Sequence, residues 1–208
     1  MDEKAQLGTI AGILLLVFIL IGAVSASIII TDTPMTSEED LTNMTNEIVD
    51  ELCSYLQIKQ IVGKYQTIQG QQRINKIAIL IKPFVSQNID LTHMTLELND
   101  GENYQILFFN GTAGSIRSQS LFEHHLWESL TNESYGLLST IDNDNSIVDA
   151  HMINENTDMA FIIIKLPENK AMTQDTQLVV TIRPSPGIGR TVTIEAPLPI
   201  KNIVTLYE

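Results

Sequence analysis

The chain has 208 residues, a net charge of −13 and a pI near 4.6. That acidity excludes nucleic acid as a partner, because neutralising phosphates needs a basic surface. Its one cysteine, Cys53, excludes an intramolecular disulfide and a zinc site built on several thiolates; it reads as a small apolar residue on a helix, with an intermolecular disulfide as the alternative.

Residues 1–4, MDEK, form a charged leader. From Leu7 to Ile30 the chain then runs twenty-four residues without a charge. At about 1.5 Å rise per residue such a helix spans roughly 36 Å, enough for a hydrocarbon core of about 30 Å. Small residues across Gly22–Ile28 offer a signal-peptide cleavage site; cleavage between Lys4 and Ala5 is the alternative, and it leaves the helix in the mature chain. Gly8 and Gly12 are four apart, as are Gly22 and Ala26, a spacing that lets helix backbones approach closely.

Pro34 breaks the pattern, since it disfavours α conformation at Thr33 and removes a backbone donor. Ser37 then offers an N-cap with acids in the first turn. Leu41, Met44, Ile48, Leu52, Tyr55 and Leu56 follow at helical spacing and predict an amphipathic continuation.

After Ile58 the period changes to two. Strands are predicted at Lys59–Tyr65, Arg73–Phe84, Met94–Asn99, Tyr104–Phe109, Ala160–Leu166, Thr176–Arg183 and Arg190–Ala196, all rich in Ile, Val, Thr and Phe. Asn99-Asp-Gly101 marks a tight turn, and Pro184, Pro186, Gly187 and Gly189 mark a loop. One short helix is expected around Leu121–Leu130. The fold class is therefore α+β: a long N-terminal hydrophobic α-helix followed by an all-β, immunoglobulin-like β-sandwich. The expected parts are the leader at 1–4, the helix at 5–58 and the sandwich at 59–208.

Catalytic chemistry finds no support. His93, His124, His125 and His151 are dispersed or adjacent, so they do not share a helix face on one metal. There is no metalloprotease pattern, Gly-rich phosphate loop or nucleophile elbow, and an enzyme is not expected. Asp142-Asn-Asp144-Asn-Ser146 is the one ligand-like cluster. Oxygen side chains at alternate positions suit a hard cation such as Ca²⁺, with Asp149 as a further donor, although the EF-hand glycine and distal glutamate are missing. A solvated Asn/Asp turn is the other reading. No cofactor is required. Sequons occur at Asn43-Met-Thr45, Asn110-Gly-Thr112 and Asn132-Glu-Ser134, consistent with exposure outside the cell.

Several segments, in order, point to one family. Lys4-Ala-Gln-Leu-Gly-Thr9 opens the apolar helix, and Asn88-Ile-Asp-Leu-Thr92 follows the first long strand. Ile141-Asp-Asn-Asp-Asn-Ser146 comes next, then Asp158 before an apolar strand, then Val180-Thr-Ile-Arg-Pro184 with Gly187 or Gly189. Ala196-Pro-Leu-Pro199 and Val204-Thr-Leu-Tyr207 complete the series. Over nearly the whole chain this resembles the archaeal flagellins (archaellins), type IV pilin-like subunits with a class III signal peptide.

The resemblance implies a structural subunit of the archaellum filament, which drives swimming. A prepilin-like preflagellin peptidase would cut between Lys4 and Ala5. The helix would wait in the membrane and then pack with other copies, or with other archaellins, in a filament core. The outer domains would carry glycans, and the motor and platform membrane proteins of the archaellum would be partners. The implied location is the extracellular filament. Leader removal has a physical logic, since Asp2, Glu3 and Lys4 would otherwise be buried unpaired in an apolar bundle. A type IV pilin or an archaellum accessory or anchor protein shares the same architecture and is the alternative. The chain departs from the family in its short leader with two acids and in Pro34, where the family's helix continues.

Overall fold

The computed structural model describes residues 56–185 and 187–208. The apolar run, Pro34, the amphipathic continuation up to Tyr55 and Cys53 lie outside them. Among the described residues no helix is long and apolar enough to cross a membrane.

Eleven strands are present among the described residues: β1 (Leu56–Ile68), β2 (Gln71–Pro83), β3 (Ile89–Asp90), β4 (Thr95–Asn99), β5 (Tyr104–Ser115), β6 (Ser134–Ile141), β7 (Met152–Ile153), β8 (Met159–Lys165), β9 (Gln177–Arg183), β10 (Arg190–Glu195) and β11 (Ile203–Tyr207). Two single-turn helices accompany them, α1 (Leu126–Ser129) and α2 (Ser146–Asp149). β1 opens at Leu56, three residues before the boundary expected at 59. Leu56, which helical spacing assigned to the preceding helix, is a strand residue only 1% exposed.

β1 and β2 form a long hairpin in which Ile68 pairs with Gln71. Its two-residue turn has φ 54° at Gln69 and 77° at Gly70, the left-handed pair that a right-twisted hairpin needs. The nine-stranded sheet runs in the order β10-β9-β4-β5-β6-β8-β2-β1-β11, and β3 and β7 pair separately.

β5 joins the two halves of the sheet. Its first residues pair antiparallel with β4, Tyr104 opposite Asn99 and Leu107 opposite Leu96. From Phe108 onward it pairs parallel with β6. One core lies inside the curled sheet and takes side chains from both halves, Leu96, Val180, Ile182 and Ile194 meeting Ile61, Ile77, Ile79 and Ile162. β10 packs back against β1 and β11, so the sheet nearly closes. The two layers expected of a sandwich are thus one continuous sheet that turns its corner at a bulged strand. The parallel β5–β6 pair also differs from the all-antiparallel immunoglobulin arrangement.

A second, smaller core lies on the outer face. The segment after β5 crosses over Val62, Ala78, Leu138 and Ile163 and lays Phe122, Leu126, Trp127 and Leu130 on them. The helix expected around Leu121–Leu130 is met there as a 3-10 turn at Leu121–Glu123 followed by α1. Burial on both faces gives β6 and β8 nearly continuous rather than alternating burial.

Candidate functional site

The acidic loop begins where β6 ends. Asp142 follows Ile141 and is 3% exposed; Asp158, just before β8, is fully buried. Asn145 adopts the left-handed region at φ 61° and starts α2, a conformation Asn tolerates better than most residues. The bend places Asp144 and Ser146 opposite Asn154. Ser146 N donates to Asp144 Oδ1 at 3.0 Å, Asn154 Nδ2 donates to Asp144 Oδ2 at 2.5 Å, and the Ser146 hydroxyl donates to Asn154 Oδ1 at 3.1 Å. Asp158 Oδ2 accepts the amides of Asn154 at 3.1 Å and Glu155 at 2.9 Å. Two loops are clasped together, and Asn154 is the shared tooth.

The acids respond in opposite directions. The Asp144 carboxyl is pulled down to about 2, first by the Asn154 side chain and then by the Ser146 amide. The Asp142 carboxyl is pushed up, first by burial, with the Asp158 charge and Asp144 adding to it; the Ile147 and Val148 amides pull the other way. No hydrogen bond within 3.5 Å reaches either Asp142 carboxylate oxygen or Asp158 Oδ1. Orphaned, buried carboxylate oxygens beside an amide and a hydroxyl oxygen suit a hard cation. The set is lean, however: among the described residues no three His, Cys, Asp or Glu side chains converge as a metal cluster.

Of the residues singled out in sequence, Asp142, Asp144 and Ser146 come together, while Asp149 is exposed at the end of α2. Asn154 was missed. Its signal was the polar stretch Asn154–Asp158, whose partnership with residue 144 depends on the fold.

The two described sequons differ in setting. Asn110-Gly-Thr112 forms the bulge of β5, where pairing jumps from Phe109–Tyr135 to Ala113–Leu137. Gly111 has φ 81°, which a glycine adopts without strain. Asn110 Oδ1 accepts both the amide of Thr112 at 3.0 Å and its hydroxyl at 2.5 Å, and Asn110 Nδ2 donates to the Ser129 carbonyl at 3.4 Å. In the other sequon Asn132 is exposed, but Ser134 is 8% exposed at the start of β6. Its hydroxyl oxygen accepts the Thr131 amide at 3.0 Å and meets the Thr131 hydroxyl at 2.9 Å. Lys4, Ala5, Gly8, Gly12, Gly22, Ala26 and Asn43 lie outside the described residues.

Comparison with known proteins places this architecture. The archaeal-type flagellin family matches residues 5–194. Flagellin B3 of Methanocaldococcus jannaschii is 24% identical over 150 residues, covering 70% of this chain and 68% of that protein. The crystal structure of archaeal flagellin FlaB1 from the same organism superposes with a TM-score of 0.65 at 22% identity, over 73% of this chain and 96% of that one. The archaeal flagellum of Methanospirillum hungatei gives 0.51 at 15% identity, over 91% and 93%. At these identities the structural likeness is one of fold.

Proposed function

The chain belongs to the archaeal-type flagellin family and is a structural subunit of the extracellular archaellum filament, and we propose that it polymerises through the apolar stretch Leu7–Ile30 once residues 1–4 are removed. The single observation that carries this reading is the uncharged run itself, with its small residues four apart, directly behind a cluster of charges. The family match also opens at Ala5, the first residue expected to remain after cleavage. In lipid the helix satisfies its own backbone. In a filament it packs on other copies, where Gly8, Gly12, Gly22 and Ala26 let backbones approach. Head-to-tail contacts between copies that do not close into a ring generate a filament.

In this reading the outer domain is the part that faces water. Its clasped loop takes a hard cation on Asp142 and Asp144, with Ser146 and Asn154 supplying neutral oxygens; a bound cation there would neutralise the orphaned Asp142 carboxylate. The preflagellin peptidase, the membrane before assembly, other archaellins and the archaellum's motor and platform proteins are the partners this reading names.

N-terminal sequencing of the subunit recovered from sheared filaments tests the proposal. Ala5 is expected as the first residue. Recovery of subunits that still begin at Met1, or that begin beyond Ala26 and so lack the helix, overturns it.

A further inference from the structure

Of the four histidines only His124 is buried, 4% exposed at the elbow between the 3-10 turn Leu121–Glu123 and α1. Its Nδ1 accepts the Leu126 amide at 3.3 Å. That amide opens α1, and the first amides of a helix have no carbonyl of their own helix to reach. A ring nitrogen that accepts a hydrogen bond carries no proton, so the imidazole is neutral with its proton on Nε2. That edge lies against β5 and makes a hydrogen bond to the Ser115 backbone. Glycine at 114 admits the ring. A Cβ there would stand 3.2 Å from His124 Cε1 and 3.0 Å from Leu126 Cδ1.

The charged groups around the ring give a proton on it no support. The neighbouring His125 stacks on it, ring centroids 4.4 Å apart, and repels a second charge. Glu123 of the same segment turns to Lys64 of β1. Lys76 of β2 faces Trp127 and the Phe122 carbonyl, and Glu128 of α1 acts on Lys76. Arg117 donates to the Asp142 carbonyl. Among the described residues no carboxylate pairs with His124. Burial, and after it the His125 charge, hold its pKa below the ordinary 6.5, against the pull of the Ser115 backbone.

We propose that His124 is an acid-sensitive latch: neutral, it fastens residues 121–130 to β5; protonated, it releases them and bares Val62, Ala78, Leu138 and Ile163 on the outer face of the sheet. A proton on Nδ1 turns the acceptor into a second donor, set against the Leu126 N–H. The amide then loses its partner and the ring becomes a buried charge, both of which disfavour the closed form. The segment is built to come away. Its regular structure is one 3-10 turn and one turn of helix, and it contributes no strand to the sheet. Its buried side chains form a cluster separate from the larger inner core, so the sheet keeps its own support.

The direction follows from the depressed pKa. The closed form binds the proton less tightly than the open one, so the closed form loses ground as pH falls through 6.5. The ratio of open to closed rises by up to about tenfold per pH unit until the closed form itself titrates. Glu123, held below 4.5 first by its hydrogen bond from Lys64, titrates later. An extracellular domain meets the pH of the medium directly, so the latch reports that pH at the domain surface. It goes beyond the filament reading and depends on neither helix packing nor the cation.

Hydrogen exchange on native filaments, read by mass spectrometry and corrected for the intrinsic pH dependence of exchange, tests the latch. Protection of the peptide spanning 121–130 is expected to fall several-fold between pH 6.5 and 5, while peptides of β2 stay protected. Acrylamide quenching of Trp127, the chain's one tryptophan, should rise over the same interval. His124→Gln offers the Leu126 amide an oxygen that does not titrate, and its protection should stay level. His125→Gln should keep the fall. Constant protection or constant quenching in the native chain overturns the latch. So does an equal fall in His124→Gln, or a lost response in His125→Gln. None of these outcomes touches the filament assignment. Where His124→Gln does not assemble, the two readouts of the native chain and His125→Gln decide.

Discussion

The ammonium of Lys76 sits 5.0 Å from the ring centroid of Trp127, on the outer face of the sheet. Trp127 is 2% exposed, stacks on Phe122 at 5.7 Å and donates its indole N–H to the Leu121 carbonyl at 2.7 Å. Lys76 Nζ also donates to the Phe122 carbonyl at 3.3 Å. Its pKa is held below the ordinary value, first by burial and then by the nearby Lys64 charge. This pair pins the crossover between β5 and β6 onto the sheet. Trp127→Ala should cost about 3–5 kcal/mol in urea unfolding, from lost burial and the cavity left behind. Lys76→Met keeps the packing and removes the charge, and should cost roughly 1 kcal/mol. If Trp127→Ala proves nearly neutral, the outer layer is not a second core.

Tyr135 makes a corresponding tie on the inner side. It is fully buried, and its hydroxyl shares its one proton between the carbonyls of Leu91 at 2.8 Å and Met94 at 2.7 Å. Burial pushes the phenol's pKa up, with Asp90 adding to it. Tyr135→Phe preserves the ring and removes the one proton the two carbonyls share, which should cost about 1–3 kcal/mol. Hydrogen exchange should locate the loss, with faster exchange at the Leu91 amide, which bonds to the His151 carbonyl.

How much of this could be read beforehand depends on how many faces of each strand are covered. Strands such as β4 and β10 alternate buried and open residues, and the period-two signal found them. β6 did not announce itself. Tyr135, Leu137 and Leu138 are all buried, because one face meets the inner core and the other lies under α1, so alternation is absent and Gly136 weakens the propensity further. β11 was visible only as the motif Val204–Tyr207, since its residues are exposed or half-buried at an edge. In the acidic loop the spacing of Asp142, Asp144 and Ser146 marked the cluster. Asn154 could not be placed there by spacing, because only the tertiary bend of the chain brings it to Asp144.

The two acids of that loop should give opposite pH signatures. Asp142 has its folded pKa raised above 3.8. The folded state therefore binds that proton more tightly, and Asp142 costs stability as pH rises through the window above 3.8. Asp144 is held down to about 2, so its contribution is present above the ordinary carboxylate range and is lost as pH falls from 3.8 toward 2. Without divalent ions, Asp142→Asn should raise the melting temperature at pH 7, with the gain fading as pH falls toward about 4. Adding Ca²⁺ should stabilise the native chain and leave the Asp142→Asn chain unmoved. Equal Ca²⁺ responses in both would remove Asp142 from the cation site.

The helix makes the remaining prediction, and it separates assembly from folding. Gly8 and Gly12 are four residues apart in the sequence, and in the proposed helix leucine at both would hold neighbouring backbones away by the width of a side chain. Leucine is as much at home in lipid as glycine, so the double variant Gly8→Leu, Gly12→Leu should still enter the membrane. The outer domain has its own core, so its near-ultraviolet signature from Trp127 should be unchanged. Sheared-filament preparations viewed by electron microscopy should contain few or no filaments, while the subunit accumulates in the membrane fraction. Filaments of normal length and number from the double variant would show that the close backbone approach is not what holds the polymer together.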